Sequence, residues 1–543
     1  MNEDRWPAFV ARPYVCGALG EIDRAALDRV RRAGPAVGEV HVGDGVTLYG
    51  GPGVRRVGAH FGFGQVAPPA TSDWLAGAEA TEAPGLVDGR DEVLVHAGAL
   101  GLIDLHYRVH GGAAYFASRI EPLVALGPDA VDWAAWAAIL RLGCPLGDAT
   151  PFAGVKRLGA ASALIWSRER RRLRVERRQH RAIAAARGEA NAGDVLDAVR
   201  SAMEVCAGRA SILPLSGGWD SRLLAGVAAA RGFELEAWTT CPDSGRGADL
   251  AYARRVAQAL ALPHRIFMPE DAGADYPDYA HGVWRRLEYQ TAYHAWLGPL
   301  TTRLHQETRP VVDGLGGDVL VKGLFVKRAI LEAEPGRPRR TALLAAMSAA
   351  PAPVLSPRVE AWMDDQVRAD FDCATEHVRG HRAEESLAVL ITRSARAIAC
   401  SPFSLFGPEL AVEVPFLAPQ VLEAALAIDP WRRLDGRFYR EVLAAASPAV
   451  ATLPSTNDAS VPRGGGARRQ TSPAALGWKH SILSDLDRRI PSLLHPDLAV
   501  ALDIGPDALR RLSGPMLARL SALGLWLAEN SARLGGVVPP PGG

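Results

Sequence analysis

The run Ser211-Ile-Leu-Pro-Leu-Ser-Gly-Gly-Trp-Asp-Ser-Arg-Leu-Leu constrains the fold of this chain more than any other stretch. An apolar strand at 211–215 leads into paired glycines and then into a helix-forming run at 221–231, so the backbone must turn sharply at Gly217 and Gly218. Such a turn exposes successive N–H groups, and the hydroxyls of Ser216 and Ser221 add donors at the helix start. Together these make a nest suited to a polyphosphate. Asp220 is placed to hold the magnesium that such an anion brings. No lysine follows the glycines, so the segment is not a GxxxxGK[ST] loop. A second strand at 234–240 and a second helix at 247–261 follow, which predicts a parallel α/β sheet.

A second segment answers the first. In Pro310-Val-Val-Asp-Gly-Leu-Gly-Gly-Asp-Val-Leu-Val-Lys-Gly an apolar run again ends in a glycine-rich turn carrying acids, Asp313 and Asp318. Parallel sheets place their ligands at the carboxyl ends of strands, so Asp318 is the natural partner of Asp220 for a shared magnesium. Lys322 lies one turn further on, within reach of a phosphate.

Upstream, to about residue 183, short apolar runs are broken by glycine and proline, with helical stretches near 21–33 and 131–142, an α+β pattern. ALIWSRERRRLRVERR reads as a hairpin whose buried face carries Leu164, Trp166, Leu173 and Val175. The small, polar stretch 181–193 marks a boundary, followed by a helix at 194–207 with Asp194 as its N-cap. Residues 277–535 read as mostly helical apart from the strand, turn and helix of 310–330 and two loops, 334–341 and 455–471, the latter bearing Arg463, Arg468 and Arg469. WRRLEYQTAYHAWL reads as helical and brings Glu288, Tyr289, Tyr293 and His294 just ahead of the second acidic loop. The division expected is 1–183, 184–535 and a disordered tail at 536–543.

Composition narrows the partners. The 543 residues carry 61 basic and 60 acidic side chains, a balance of +1 that gives no field for nucleic acid. No apolar run approaches the ~18 residues of a membrane span. The opening MNEDRWPAFV lacks the basic and apolar regions of a secretory signal, so a cytoplasmic address is expected. Six scattered cysteines without CxxC spacing argue against a disulfide framework or a structural metal.

These motifs carry a resemblance. SGGWDS resembles the pyrophosphate loop of the ATP pyrophosphatase domain in the asparagine synthetase family, and DGLGGDVLVKG resembles that family's second acidic loop. Asp249-Leu-Ala-Tyr-Ala-Arg-Arg-Val-Ala with the later His264 resembles its second helix and following strand. Glu413-Val-Pro-Phe-Leu is similar to its E-x-R-x-PFLD segment, without the Arg and the final Asp. Leu102-Ile-Asp-Leu-His-Tyr with Tyr115-Phe-Ala-Ser resembles the end of the family's glutaminase domain. An N-terminal-nucleophile glutaminase needs a cysteine as residue one, with its own amine as base. Here residue 2 is Asn, Cys16-Gly17 lies fifteen residues in, and no RGPD or NGE segment is present.

The resemblance implies a degenerate N-terminal-nucleophile glutaminase-like domain, followed by a parallel-sheet ATP pyrophosphatase domain using ATP and Mg2+. It implies nucleotide contacts at Leu215, Ser216, Gly217, Gly218, Asp220, Ser221, Thr239, Gly314 and Gly317. Asp220 and Asp318 would be the catalytic and metal-holding acids, with Lys322, Glu288 and His294 as further catalytic candidates. Without a glutaminase the amine must come from elsewhere, and β-lactam synthetases and lasso peptide cyclases draw it from the substrate itself. The β-lactam branch carries a Tyr where this chain has Leu315, and the late-loop lysine of that branch and of asparagine synthetase is not evident in 453–462. Lasso cyclases are more similar, in SGGWDSR, DGLGGDVLVKG and the PFAGVKRL ending of the amino-terminal region. That likeness implies a leader-free core peptide as substrate, a leader peptidase and a leader-recognition protein as partners, and an ATP-driven macrolactam closure. An asparagine synthetase or a β-lactam synthetase-like amide ligase is the alternative, and the base is unassigned.

Overall fold

The computed structural model describes residues 14–63, 84–178, 183, 186, 188–240, 248–268, 275–349, 353–406, 410–458, 469–512, 514–537 and 539–540. The opening decapeptide, Cys241, and Arg463 and Arg468 with most of the 455–471 loop lie outside the described residues, as does much of the 181–193 boundary.

Twelve strands are described before residue 178: β1 (Val15–Gly20), β2 (Gly38–Gly43), β3 (Val46–Gly50), β4 (Val54–Val57), β5 (His60–Phe63), β6 (Gly85–Asp88), β7 (Glu92–His96), β8 (His106–His110), β9 (Ala113–Ala117), β10 (Lys156–Arg157), β11 (Ser162–Ser167) and β12 (Arg172–Arg177). They form two six-stranded sheets, ordered β10-β8-β9-β1-β3-β2 and β12-β11-β7-β6-β5-β4. Every strand pair in them is antiparallel. Period-two alternation decides what each face meets. Val15 and Leu19 of β1 join Phe61, Leu86, Val95 and Trp166 of the other sheet in a shared core. Cys16 and Ala18, on the opposite face of β1, pack with Ala26, Leu27 and Val30 of the helix Arg24–Ala33.

The expected hairpin forms, with Leu164 opposite Val175 and Trp166 opposite Leu173. Its burial differs from the reading by alternation: β11 is buried on both faces, whereas Val175 on the edge strand β12 is exposed. β11 is sandwiched between β7 and β12, so its Ala163 and Ile165 are enclosed as well.

The third sheet is parallel and five-stranded: β13 (Ser211–Pro214), β14 (Leu235–Thr240), β15 (His264–Phe267), β16 (Val311–Val312) and β17 (Val412–Glu413), in the order β15-β14-β13-β16-β17. The chain lays down β13, β14 and β15 in one direction across the sheet, then returns to the other side of β13 to lay down β16 and β17. The order therefore reverses between β13 and β16, the switch point where open α/β sheets bind ligands. The two glycine-rich turns follow those two strands.

Helices fill the remainder. The helix Ala192–Met203 starts two residues before the expected position, because Asn191 is the N-cap and Asp194 closes a capping box from the third helical position. The 334–341 stretch, read as a loop, enters the helix Arg337–Met347, with Pro at its start. The 276–297 stretch is helical only over Tyr276–Arg286 and Ala295–Leu297. Glu288 and Tyr289 break it with φ of 51° and 59°, so the run read as helical is not one continuous helix. In the tail, Val537 packs against the core and Pro540 is buried.

The last helix, Gly514–Asn530, returns to the amino-terminal sheets. Trp526 lies 5.3 Å from Trp136 and 4.8 Å from Phe152, ring centre to ring centre. Arg519 donates to the carbonyls of Leu140 (2.6 Å) and Arg141 (3.1 Å), which end the helix Trp133–Leu142. No described helix is long and apolar enough to cross a membrane. Trp526→Ala is expected to cost about 3–5 kcal/mol, as for other buried aromatics cut to alanine. It should lower the thermal unfolding midpoint of the whole chain, and a midpoint equal to that of the parent would contradict this docking.

Candidate active site

At the switch point the two glycine-rich turns meet. A Cβ on Gly317 would stand 2.7 Å from Asp220 Oδ1, and one on Gly314 would stand 3.2 Å from Asp220 Cβ and 3.3 Å from Ser221 N. Only hydrogen at these two positions lets the loops touch. Above them opens a cavity of about 500 Å3, a size that suits a small-molecule site. One part of its lining is polar, with Ser216, Asp220, Ser221, Asp313, Asp318 and Arg393. Another part is apolar, with Trp238, Trp296, Leu297, Leu300, Ile398 and Phe406.

The first turn is closed on itself. Ser216 N donates to Ser221 Oγ (3.1 Å), Gly217 N to Asp249 Oδ1 (2.8 Å) and Gly218 N to Ser216 Oγ (3.2 Å). The N–H groups expected to be open are thus held by side chains, and an anion must take their place. The helix Asp220–Arg231 behind the turn has no side-chain cap, because Trp219 occupies the N-cap position. Its positive end meets the cavity wall at Asp220 and Ser221.

The late loop clasps this turn. Arg222, fully buried, donates to the carbonyls of Leu453 (2.7 Å), Pro454 (2.7 Å) and Val450 (3.2 Å). Thr456 N donates to Gly217 O (3.0 Å), and Lys322 Nζ donates to Asn457 Oδ1. The start of the 455–471 loop is therefore tied down as far as Asn457.

The acids are crowded and dry. Burial and the neighbouring charge of Asp318 together push Asp220 up to about 8, against the pull of Tyr439 and Lys322. Burial and Asp318 hold Asp313 at about 6, although the Leu315 N–H favours its charged form. Burial also raises Asp318, opposed by Arg393 and Lys322. Asp220 Oδ1 is sealed from solvent without a hydrogen-bond partner. A like-charged cluster with an orphaned oxygen is the environment a hard divalent cation relieves. Among the described residues no three His, Cys, Asp or Glu side chains converge to hold a metal unaided. That fits magnesium, which commonly takes one or two carboxylates and completes its shell with phosphates and water.

The other candidates separate. Leu215, Ser216, Asp220, Ser221, Gly314, Asp318 and His294 line the cavity, and Gly217, Gly218 and Gly317 shape the turns. Lys322 lies 5.6 Å from the Trp219 ring centre, beside the acids. Thr239, expected to touch nucleotide, spends its hydroxyl on Leu215 O (2.7 Å) and His264 Nε2 (2.8 Å), and its neighbour Thr240 lines the cavity instead. His294 donates through Nε2 to Ala397 O (2.6 Å), and burial pulls it down to about 4, so it is neutral at pH 7 and a weak proton acceptor. Glu288 is not in the cavity. Its Oε1 accepts from Ile120 N (2.7 Å) and Glu121 N (3.0 Å) at the start of the short helix Glu121–Val124, on the amino-terminal side. Tyr293 lines the cavity and ties the same segment to the amino-terminal part, donating to Leu142 O (3.0 Å). Asp249 and Arg393 were not among the sequence candidates. Asp249 carried a signal in its similarity to the family's second helix, whereas Arg393 sits in a helical run without a motif.

Residues 193–454 match the protein family described as asparagine synthase. Over these residues, a little under half of its length, the chain is similar to the asparagine synthetase-like family of ATP-dependent carbon–nitrogen ligases. No curated protein matches it.

The raised acids set a pH dependence. Folding holds their protons more tightly than the unfolded chain does, where an aspartate titrates near 4. Stability should therefore fall as pH rises from about 4 through 8. Thermal melts of the ligand-free protein between pH 5 and 8.5 should show this fall. Asp220→Asn should flatten it and saturating Mg2+ with ATP should reduce it; parallel curves for parent and variant would refute the assignment.

Proposed function

We propose that this chain is an ATP-dependent macrolactam synthetase of the lasso peptide cyclase type. The observation that carries the reading is the meeting of SGGWDS and DGLGGD at the switch point, beside a cavity lined by both polar and apolar side chains. Bound Mg-ATP supplies an electrophilic α-phosphorus, on which a carboxylate becomes an acyl-adenylate with release of pyrophosphate. Ser216, Gly217, Gly218 and Ser221 receive the phosphates, and Asp220 and Asp318 hold the magnesium. The apolar wall of Trp296, Leu297, Leu300 and Phe406 keeps water from the activated acid. An Asp or Glu side chain of a leader-free core peptide is the acid, and the peptide's own terminal amine is the nucleophile. The amine expels AMP and closes the ring as an isopeptide. Orientation of an attack within one molecule is worth up to about 7–11 kcal/mol, so holding the peptide folded is the main task of the site.

Cys16 supports an amine source other than glutamine. It is fully buried within β1, between β3 and β9, and burial pushes its thiol up to about 11. A thiol so placed is inert. The amino-terminal part is accordingly read as a glutaminase-like fold kept for structure, within the division 1–183, 184–535 and 536–543. A leader peptidase and a leader-recognition protein complete the proposed machinery, in the cytoplasm.

Incubation of a leader-free core peptide with the protein, Mg2+ and ATP tests the reading by intact mass and AMP release. Loss of one water from the peptide together with AMP is expected, whereas AMP formed only with free aspartate and ammonia would assign an asparagine synthetase instead. Asp220→Ala should abolish AMP formation while the circular dichroism spectrum is kept. Cys16→Ala should turn over as the parent does, and loss of ring closure in that variant would give the thiol a role.

A further inference from the structure

Arg393, half-buried, stands apart from the buried arginines, each of which has a hydrogen-bond acceptor. Arg222, Arg396, Arg433 and Arg519 all end on backbone carbonyls. Arg393 ends on none: its Nη1 is sealed from solvent without an acceptor, and among the described residues no carboxylate pairs with it. Its guanidinium is held by two aromatic rings, 5.6 Å from the centre of Tyr293 and 5.5 Å from that of Phe325. Stacking of this kind fixes the plane of the fork and leaves its edge free for an anion.

The position is built rather than incidental. Arg393 lies in Leu390–Ile398, where the helix widens to a π-type turn, with Ala399 N donating to Ser394 O (2.8 Å), five residues back. Widened turns of this kind are frequent at functional sites. The widened stretch delivers the side chain to the cavity lining together with Tyr293, His294 and Ile398. Its charge bears on His294 and, together with that of Lys322, on Asp318.

We propose that Arg393 receives the carboxylate of the acid substrate, presenting it beside the magnesium-holding acids through a fork that Tyr293 and Phe325 keep in plane. The inference rests on the ligase reading above and names the group that selects its acid. A planar fork without an internal acceptor matches a carboxylate in two parallel hydrogen bonds. The neutral amide of the same shape lacks one acceptor oxygen and the charge, so it should be rejected.

The test is calorimetric titration of the full chain, with Mg2+ and a non-hydrolysable ATP analogue present. The probes are the N-acetyl N-methylamides of aspartate and glutamate, set against those of asparagine and glutamine. The parent should bind at least one acid about tenfold or more tighter than its amide counterpart. Arg393→Gln should erase that preference, leaving the amide probes and the affinity for the ATP analogue within about twofold of the parent. Arg393→Lys, with charge but no fork, should keep part of the preference. Three results would overturn the assignment: no acid preference in the parent, preference intact in Arg393→Gln, or an equal loss in affinity for the nucleotide analogue. If the parent binds the acids selectively yet forms no AMP with a core peptide, the cyclase reading fails and the carboxylate subsite stands.

Discussion

Three aspartates line one cavity beyond the ends of β13 and β16, and their mutual repulsion sets what that site can hold. Asp220, Asp313 and Asp318 are brought together by two turns whose glycines have no side chains to keep the backbones apart. Lys322 and Arg393 both bear on Asp318 from different elements, and among the described residues neither has a close carboxylate partner. Their charge makes the cluster tolerable, and the protons held above the usual carboxylate range do the rest. Such a site is poised for a hard cation with its phosphates: the ligand supplies the positive charge that folding left out.

The strands that present these turns are short, and β16 has only the two residues Val311 and Val312. A ladder that small cannot fix a catalytic turn alone. Packing from outside the sheet completes it, with Arg222 gathering the late loop onto the first turn and the widened helix at 390–398 closing the far wall. Strand ends therefore aim the acids, and helices and loops from the carboxyl-terminal half set the shape of the space they share.

Much of this was legible in the sequence because it is local. A strand, a glycine pair and a helix within 211–231 can be read without neighbours, and the same holds for the turn after Val312. What escaped reading depends on distant chain. Glu288 looked like a site residue beside His294, but its partners lie 168 and 167 residues away. The positive φ at Glu288 and Tyr289, which turns the two residues off a common face, leaves no trace in residue type, since neither is glycine. Thr239 has the right position for nucleotide, yet its hydroxyl is claimed by Leu215 O. Arg393 belongs to no motif, and only the fold shows that it reaches the cavity unpaired.

The bond from Glu288 to the amides of Ile120 and Glu121 has an evolutionary reading. A buried carboxylate that finds its donors on another part of the chain makes that part a condition of its own burial. Tyr293, five residues on, repeats the dependence at Leu142 O while its ring faces the cavity. Among the described residues none before Pro214 lines that cavity, yet Tyr293 of its wall is tied to the end of the helix Trp133–Leu142 in the amino-terminal part. Selection on the shape of the cavity therefore extends to the amino-terminal part, which the chain cannot lose without stranding Glu288 and Tyr293.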